Sequence, residues 1–166
     1  PQDARGRIAV GALAEPLCLD GYESSLAETI VGIHDRIVSE KGFNPGFSEQ
    51  QYLEAVGLVE SVVAPIFCTF FGQRPCERYP DVFAQVSAFA THLSKDHIFP
   101  DANKRTTVVA VLALLRQSGL TLGVPDSADP SENLLYGWIQ EVVSSEKSLE
   151  ELTEVLRENA VALKRP

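Results

Sequence analysis

The sequence predicts an all-α protein, a helical bundle around one buried central helix, with at most a small β-hairpin and an extra N-terminal arm. Apolar residues recur every three to four positions in several segments, which is the spacing of one helix face. Residues 108–115 are all apolar, as expected for a helix enclosed by others. Three of the helical segments are preceded by capping-box pairs: Ser25 with Glu28, Ser48 with Gln51, and Ser148 with Glu151.

The first half of the chain is predicted to contain two helices and two irregular segments. The first capping box opens a helix over residues 25–41. Residues 42–46, which contain Gly, Asn and Pro, form a loop. The second helix begins at Ser48, and Pro65 is expected to end it. Residues 67–79 are predicted to be irregular, with their aromatic side chains packed beneath a long loop.

The second half is predicted to contain four helices. The first follows Pro80 and ends near Asp96. The central helix runs from Ala102 to Ser118, and Gly119 ends it. A Pro-, Asp- and Ser-rich loop follows, and two amphipathic helices close the chain. The apolar residues that mark these last two helices are Leu134, Leu135, Trp138, Ile139 and Val142 in one and Leu152, Val155 and Leu156 in the other.

Composition describes a single globular domain. The chain has 166 residues, of which 45% are hydrophobic and 22% charged, enough to bury a core. Its net charge of −9 opposes a nucleic-acid duplex or an anionic membrane as main partner. Its apolar runs are too short to span a bilayer, and no signal peptide is recognisable. Three cysteines without metal-ligand spacing favour a reduced, cytoplasmic setting.

The chemistry is concentrated between His97 and Arg105, where five polar side chains fall within nine residues, directly before the central helix. The start of a buried helix presents unpaired N–H groups and a partial positive charge, which suit a phosphate group. The backbone N–H groups of residues 102–105 are therefore predicted to bind phosphate oxygens. Arg105 adds a fixed fork of donors, and Lys104 adds a mobile positive charge.

Three more side chains complete the predicted site. His97 is the predicted general base, because an imidazole can accept a proton near neutral pH. Asp101 offers a hard oxygen ligand for Mg²⁺, although an Asp just before a helix could equally be its N-cap. Asn103 is predicted to contact phosphate. A base, a metal ligand and a phosphate cradle together indicate phosphoryl or nucleotidyl transfer.

The pattern His-x-Phe-x-Asp-Ala-Asn-Lys-Arg over residues 97–105 resembles the signature of the Fic/Doc family. Lys104 stands where Fic adenylyltransferases have Gly, and Val108 stands where they have a second Arg, so the chain is most similar to the death-on-curing (Doc) branch. The resemblance implies a Fic/Doc-like helical bundle that uses ATP and Mg²⁺. The site residues it implies are His97, Lys104 and Arg105 as catalytic, Ala102, Asn103, Lys104 and Arg105 as nucleotide-binding, and Asp101 as metal ligand.

Similarity to Doc further implies that the γ-phosphate of ATP goes to a Ser or Thr hydroxyl of a target protein such as elongation factor Tu. The chain would then be the toxin of a toxin–antitoxin pair, inhibited in trans, and residues 42–46 would form a flap for the target. The predicted catalytic domain spans residues 24–166, after an N-terminal extension over residues 1–23. Two alternatives stay open: Fic-type transfer of AMP, and a non-catalytic helical binding module.

Overall fold

The structure, a computed structural model, describes residues 10–40 and 47–163. A one-turn 3-10 helix, Val10–Ala12, comes first. The described residues form seven α-helices: α1 (Glu23–Glu40), α2 (Glu49–Phe67), α3 (Pro75–Arg78), α4 (Val82–Lys95), α5 (Asn103–Gln117), α6 (Leu134–Val143) and α7 (Leu149–Asn159). Two short strands, β1 (Leu120–Leu122) and β2 (Ala160–Ala162), accompany them. The predicted all-α class is confirmed. The expected flap, residues 42–46, lies outside the described ranges.

Two neighbouring helices, α4 and α5, lie at the centre of the core. α4 packs against α2, α5, α6 and α7, while α5 packs against α1, α4, α6 and β1. The predicted central helix α5 is open to solvent along one side, where Val109 is 42% exposed and Ala113 is also exposed. α4 is the more enclosed helix, since most of its residues are buried. Of the residues described, no helix combines the length and the apolar character needed to cross a bilayer.

Two of the three capping boxes form as predicted. The side chains of Ser48 and Ser148 each accept a hydrogen bond from the backbone N–H of the residue three positions later, and the side chain of that residue accepts one from the serine backbone N–H. The box predicted at Ser25 does not form, because α1 begins earlier, at Glu23. Ser25 lies within the first turn, where its carbonyl oxygen accepts a hydrogen bond from the Thr29 hydroxyl.

The expectation that Pro65 ends the second helix is wrong. Pro65 lies inside α2, which continues to Phe67. Other segments bond to the last carbonyl oxygens of α2: the Arg78 guanidinium donates to the Pro65 carbonyl, and the Leu19 N–H donates to the Phe67 carbonyl at 2.7 Å. Tertiary donors thus replace the capping partners that a helix end needs.

The segment predicted to be irregular contains a tight turn and the short helix α3. Phe70 and Gln73 pair at the turn, where Phe71 and Gly72 both have positive φ angles. The expectation that the aromatic rings here pack beneath a loop is wrong for Phe71, whose surface is 92% exposed.

The small sheet joins distant parts of the chain and is not a hairpin. Leu120 pairs with Ala162 and Leu122 with Ala160, in antiparallel register, although α6 and α7 lie between the two strands in sequence. Gly119, with a φ of +77°, makes the left-handed turn that leads from α5 into β1. The sheet therefore ties the end of α7 to the end of α5.

The described residues before α1 pack against the bundle. The buried amide of Gln85 on α4 exchanges hydrogen bonds with the backbone of Leu17, at 2.7 and 2.8 Å. The N–H of Val82 donates to the carbonyl of Ala14 at 2.8 Å. The boundary between an N-terminal extension and the catalytic domain, at residues 23 and 24, stays a prediction.

Candidate active site

A cavity of about 570 Å³ lies where the loop after α4 enters α5. The structure brings together in its lining every residue that the sequence predicted for the site: His97, Asp101, Ala102, Asn103, Lys104 and Arg105. The loop over residues 97–102, which carries the first part of the motif, is called the motif loop below. The remaining lining residues come from α1, α4, the motif loop and α6: Ile37, Val38, Ser94, Pro100, Tyr136 and Val143. Side chains of α1 and α6 thus form the largely apolar sides of the cavity, and the motif residues form its polar base, called the polar floor below.

The polar floor is shaped by left-handed backbone at its two ends. His97 has a φ of +48° and Ala102 a φ of +58°, a conformation that is uncommon for residues other than glycine. Ala102 is the N-cap residue of α5 and makes no side-chain cap. The first hydrogen bond of the helix joins the Thr106 N–H to the Ala102 carbonyl at 2.9 Å. The N–H groups of residues 103–105 therefore have no acceptor within the helix.

Asp101 does not cap α5. Its Oδ1 accepts a hydrogen bond from the N–H of the next residue, Ala102, at 2.6 Å, and its carboxylate is exposed. Of the two readings of Asp101 that the sequence left open, the structure thus rules out capping of the first turn by this side chain. The amide end of α5 faces the cavity instead of a protein carboxylate.

The Asn103 side chain holds the motif loop. Its Oδ1 accepts a hydrogen bond from the Phe99 N–H at 3.0 Å, and its Nδ2 donates to the Phe99 carbonyl at 2.7 Å. Phe99 itself is buried in the core. The side-chain amide that the sequence assigned to phosphate is therefore engaged by the loop, and the backbone N–H of Asn103 is the group that remains for a ligand.

Two positive charges line the cavity, and no described carboxylate is paired with either of them. Lys104 and Arg105 are half-buried, and neither forms an ion pair with a carboxylate in the described part of the chain. The Lys104 Nζ lies 6.0 Å from the ring centre of Tyr136, within cation–π range. In a protein of net charge −9, this region is a local site of positive charge suited to an anion.

The described residues do not form a site that could hold a metal ion with protein ligands alone. No group of three or more His, Cys, Asp or Glu side chains among them could hold one. Mg²⁺ that binds with nucleotide phosphates needs only one or two carboxylates from the protein. The exposed Asp101 carboxylate beside uncapped amides fits that kind of site.

Sequence reasoning missed the walls of the cavity. Tyr136 and Val143 lie on the same face of α6, seven residues apart, and nothing in their spacing identifies which helix they will face. Tyr136, Ile37 and Arg105 also line a second cavity of about 310 Å³, which continues toward the loop before α6. These residues are brought to the site by packing that is not encoded locally.

The family comparison matches the part of the chain that builds this site. The Fic/DOC family model matches residues 24–115, which include α1, the motif loop and nearly all of α5. The chain belongs to the Fic/DOC family. The resemblance carried by residues 97–105 is therefore confirmed.

A relative within the Fic/DOC family supports the Doc side of that resemblance. Protein kinase doc from Escherichia phage P1 is 32% identical to this chain over 104 residues, which make up 61% of this chain and 74% of that protein. This Fic/DOC protein thus shares a broad stretch of sequence with a relative described as a kinase, in addition to the nine-residue motif.

Proposed function

We propose that this Fic/DOC protein is a Doc-like kinase that transfers the γ-phosphate of ATP to a Ser or Thr hydroxyl of a target protein. One observation carries the proposal: the first-turn N–H groups of α5 face, without a side-chain cap, a cavity that also contains His97, Asp101, Lys104 and Arg105, and neither of these two cations pairs with a described carboxylate. Oriented amides beside fixed positive charge stabilise the charge that develops on phosphate oxygens during transfer.

The phosphate cradle is assigned to the backbone and to two side chains. The N–H groups of residues 103–105 point along the positive end of the α5 dipole. Arg105 can offer two parallel donors to phosphate oxygens, and Lys104 a single charge. Because no described carboxylate neutralises either side chain, their charge is available to the nucleotide.

His97 is assigned as the general base. It accepts the proton of the target hydroxyl as that oxygen attacks the γ-phosphorus; the new P–O bond forms, the bond to the β-phosphate oxygen breaks, and ADP leaves. His97 lines the cavity, is exposed, and has no hydrogen bond to another described residue, so its imidazole is accessible to a substrate hydroxyl.

Asp101 would hold Mg²⁺ through its carboxylate. When bound, the ion would neutralise charge on the phosphates and orient them. The hydrogen bond from the Ala102 N–H to Oδ1 fixes the direction of the carboxylate before any ion arrives.

Transfer of phosphate rather than AMP is proposed on the basis of Lys104 and the similarity to protein kinase doc. The Lys104 ammonium beside Tyr136 occupies space and adds charge within the cradle, and this favours a nucleotide placed with its γ-phosphate, rather than its α-phosphate, at the point of attack. The same similarity leads us to propose a cytoplasmic toxin, inhibited by an antitoxin, that modifies a translation factor such as elongation factor Tu.

The test is to incubate the full chain and elongation factor Tu with ATP labelled at either the α- or the γ-phosphate. Label on the target from γ-labelled ATP alone is expected, while label from α-labelled ATP would refute the kinase assignment in favour of AMP transfer. If neither label is transferred, the choice of target is refuted, and mass spectrometry of proteins modified on expression replaces it.

The base assignment is tested with His97→Asn. Asn tolerates the left-handed backbone at this position but cannot act as a base, so the rate should fall by about 10² to 10⁴ with little change in melting temperature. His92→Asn is the matched control, because His92 is an exposed histidine on α4. Equal effects of the two variants would refute the role of His97.

A further inference from the structure

His34 is a buried imidazole that the proposed chemistry does not use. It lies on α1 and is only 5% exposed. Its ring is stacked on Phe99 of the motif loop, with ring centres 4.1 Å apart, and on Phe47, with centres 5.3 Å apart. Phe47 is the first described residue after positions 41–46. One side chain therefore contacts both the motif loop and the start of the segment that leads into α2.

The His34 ring also makes a directed polar contact with the site. Its Nε2 lies 3.2 Å from the backbone carbonyl oxygen of Asp101. Because a carbonyl oxygen can only accept, Nε2 must carry the hydrogen. The other ring nitrogen, Nδ1, is buried without a hydrogen-bond partner among the described residues, and lies 3.6 Å from an Asp35 carboxylate oxygen.

Leaving a ring nitrogen buried without a hydrogen bond is costly, so a role in packing alone does not account for a histidine here. A phenylalanine would make the same two stacks without that cost. The contact that a phenylalanine could not make is the hydrogen bond to the Asp101 carbonyl. That carbonyl precedes Ala102, whose left-handed conformation turns the chain into α5.

We propose that His34 is a positioning residue of the active site. Its Nε2–H holds the Asp101 carbonyl and thereby fixes the turn that sets both the Asp101 carboxylate and the first amides of α5 toward the cavity. This inference rests on the proposed function only for its effect on the rate. Its structural content, that α1 holds the motif turn through one hydrogen bond, can be measured without ATP.

The test uses two variants of the full chain, His34→Gln and His34→Met, whose substituted side chains are of similar length. Gln can place a donor near the Nε2 position, whereas Met cannot donate at all. Amide hydrogen exchange, measured without nucleotide, should be accelerated at Ala102 and Thr106, whose N–H groups are the hydrogen-bonded ones in this turn. The acceleration should be roughly ten-fold greater in His34→Met than in His34→Gln, a factor that corresponds to about 1.4 kcal/mol. The rate of target phosphorylation should fall in the same order.

A third variant, His34→Phe, retains the stacks on Phe99 and Phe47 but removes the donor. It should behave like His34→Met in both measurements, and it keeps the comparison decisive if the Met variant does not fold. Wild-type exchange in His34→Phe would overturn the proposal in favour of stacking alone, and so would equal exchange in the Gln and Met variants. The exchange measurement needs no catalysis. A failure of the kinase assignment would therefore appear only in the phosphorylation assay and would leave the exchange result unchanged.

Discussion

Replacing Asn103 by Ala should destabilise the fold as well as the chemistry. The Asn103 side chain makes two hydrogen bonds to the backbone of Phe99, at 3.0 and 2.7 Å, and so closes the motif loop onto the first residue of α5. If its amide were only a phosphate contact, its removal would lower activity and leave the stability of the unliganded protein unchanged.

The magnitude follows from the two bonds that are lost. Each net hydrogen bond contributes about 0.5 to 1.5 kcal/mol, so the free energy of unfolding should fall by about 1 to 3 kcal/mol. For a domain of this size, that loss corresponds to a decrease of about 2 to 12 °C in melting temperature. Phe99 is buried, and its freed N–H and carbonyl gain little access to water, which favours the upper part of the range.

Urea unfolding of the nucleotide-free chain measures this loss, and amide exchange at Phe99 locates it. Asn159→Ala is the matched control, because the Asn159 side chain donates a single hydrogen bond within α7, to the Val155 carbonyl. It should cost less than about 1 kcal/mol and leave activity unchanged. Unchanged stability in Asn103→Ala, with activity lost, would refute the assignment of Asn103 to the loop.

A charge, a thiol and a helix cap give three more predictions. Lys104→Met, which removes the ammonium and keeps most of the stem, should lower kcat/KM for ATP by about 10- to 100-fold with little effect on stability, since no described carboxylate pairs with Lys104. Burial raises the pKa of Cys68 from 9.0 to about 11, so at pH 8 iodoacetamide should modify Cys68 much more slowly than the exposed Cys18. The folded chain retains a proton on Cys68 that the unfolded chain releases, so stability should decrease as the pH rises from about 9.0 to about 11. Asp81→Ala should lower the free energy of unfolding by about 1 to 3 kcal/mol, because Asp81 caps α4 and also binds the Arg157 guanidinium.

Each of these outcomes has its own control. Steady-state kinetics of Lys104→Arg should show part of the activity retained, and a loss as large as in Lys104→Met would argue against a role for the charge. The pH dependence assigned to Cys68 should be absent from the unfolding curves of Cys68→Ser. Asp81→Asn keeps the cap and loses the charge pair, so urea unfolding should show a smaller loss than in Asp81→Ala.

Local signals predicted the helices and failed where distant residues decide the outcome. The boxes at Ser48 and Ser148 form because every group they need lies within four residues. Pro65 was expected to end a helix, but α2 continues to Phe67, and the partner that satisfies the Pro65 carbonyl, Arg78, comes from beyond the helix. The sequence could not predict the exposed side of α5 either, since an apolar run does not reveal which of its residues a neighbouring helix covers.

The site also contains a part that local sequence predicted and a part that depends on distant residues. The motif is contiguous, so one short stretch of sequence predicted the cluster around His97 and Asp101 that the cavity contains. Tyr136 and His34 reach it from α6 and α1, and no periodicity links them to the motif. No sequence motif marks His34, and only its contact with the Asp101 carbonyl reveals what it would support.

The nine-residue motif can present reactive groups because other groups in and around it hold it in place. Asn103 and the His34 ring bond to the loop backbone, and Phe99 anchors it in the core. Within the described ranges, the first amides of α5 and the charge of Lys104 have no protein partner that would compete with a phosphate. A loop that satisfied those groups internally would be more stable and could not bind an anion, so the uncapped helix start is better explained by a ligand than by folding.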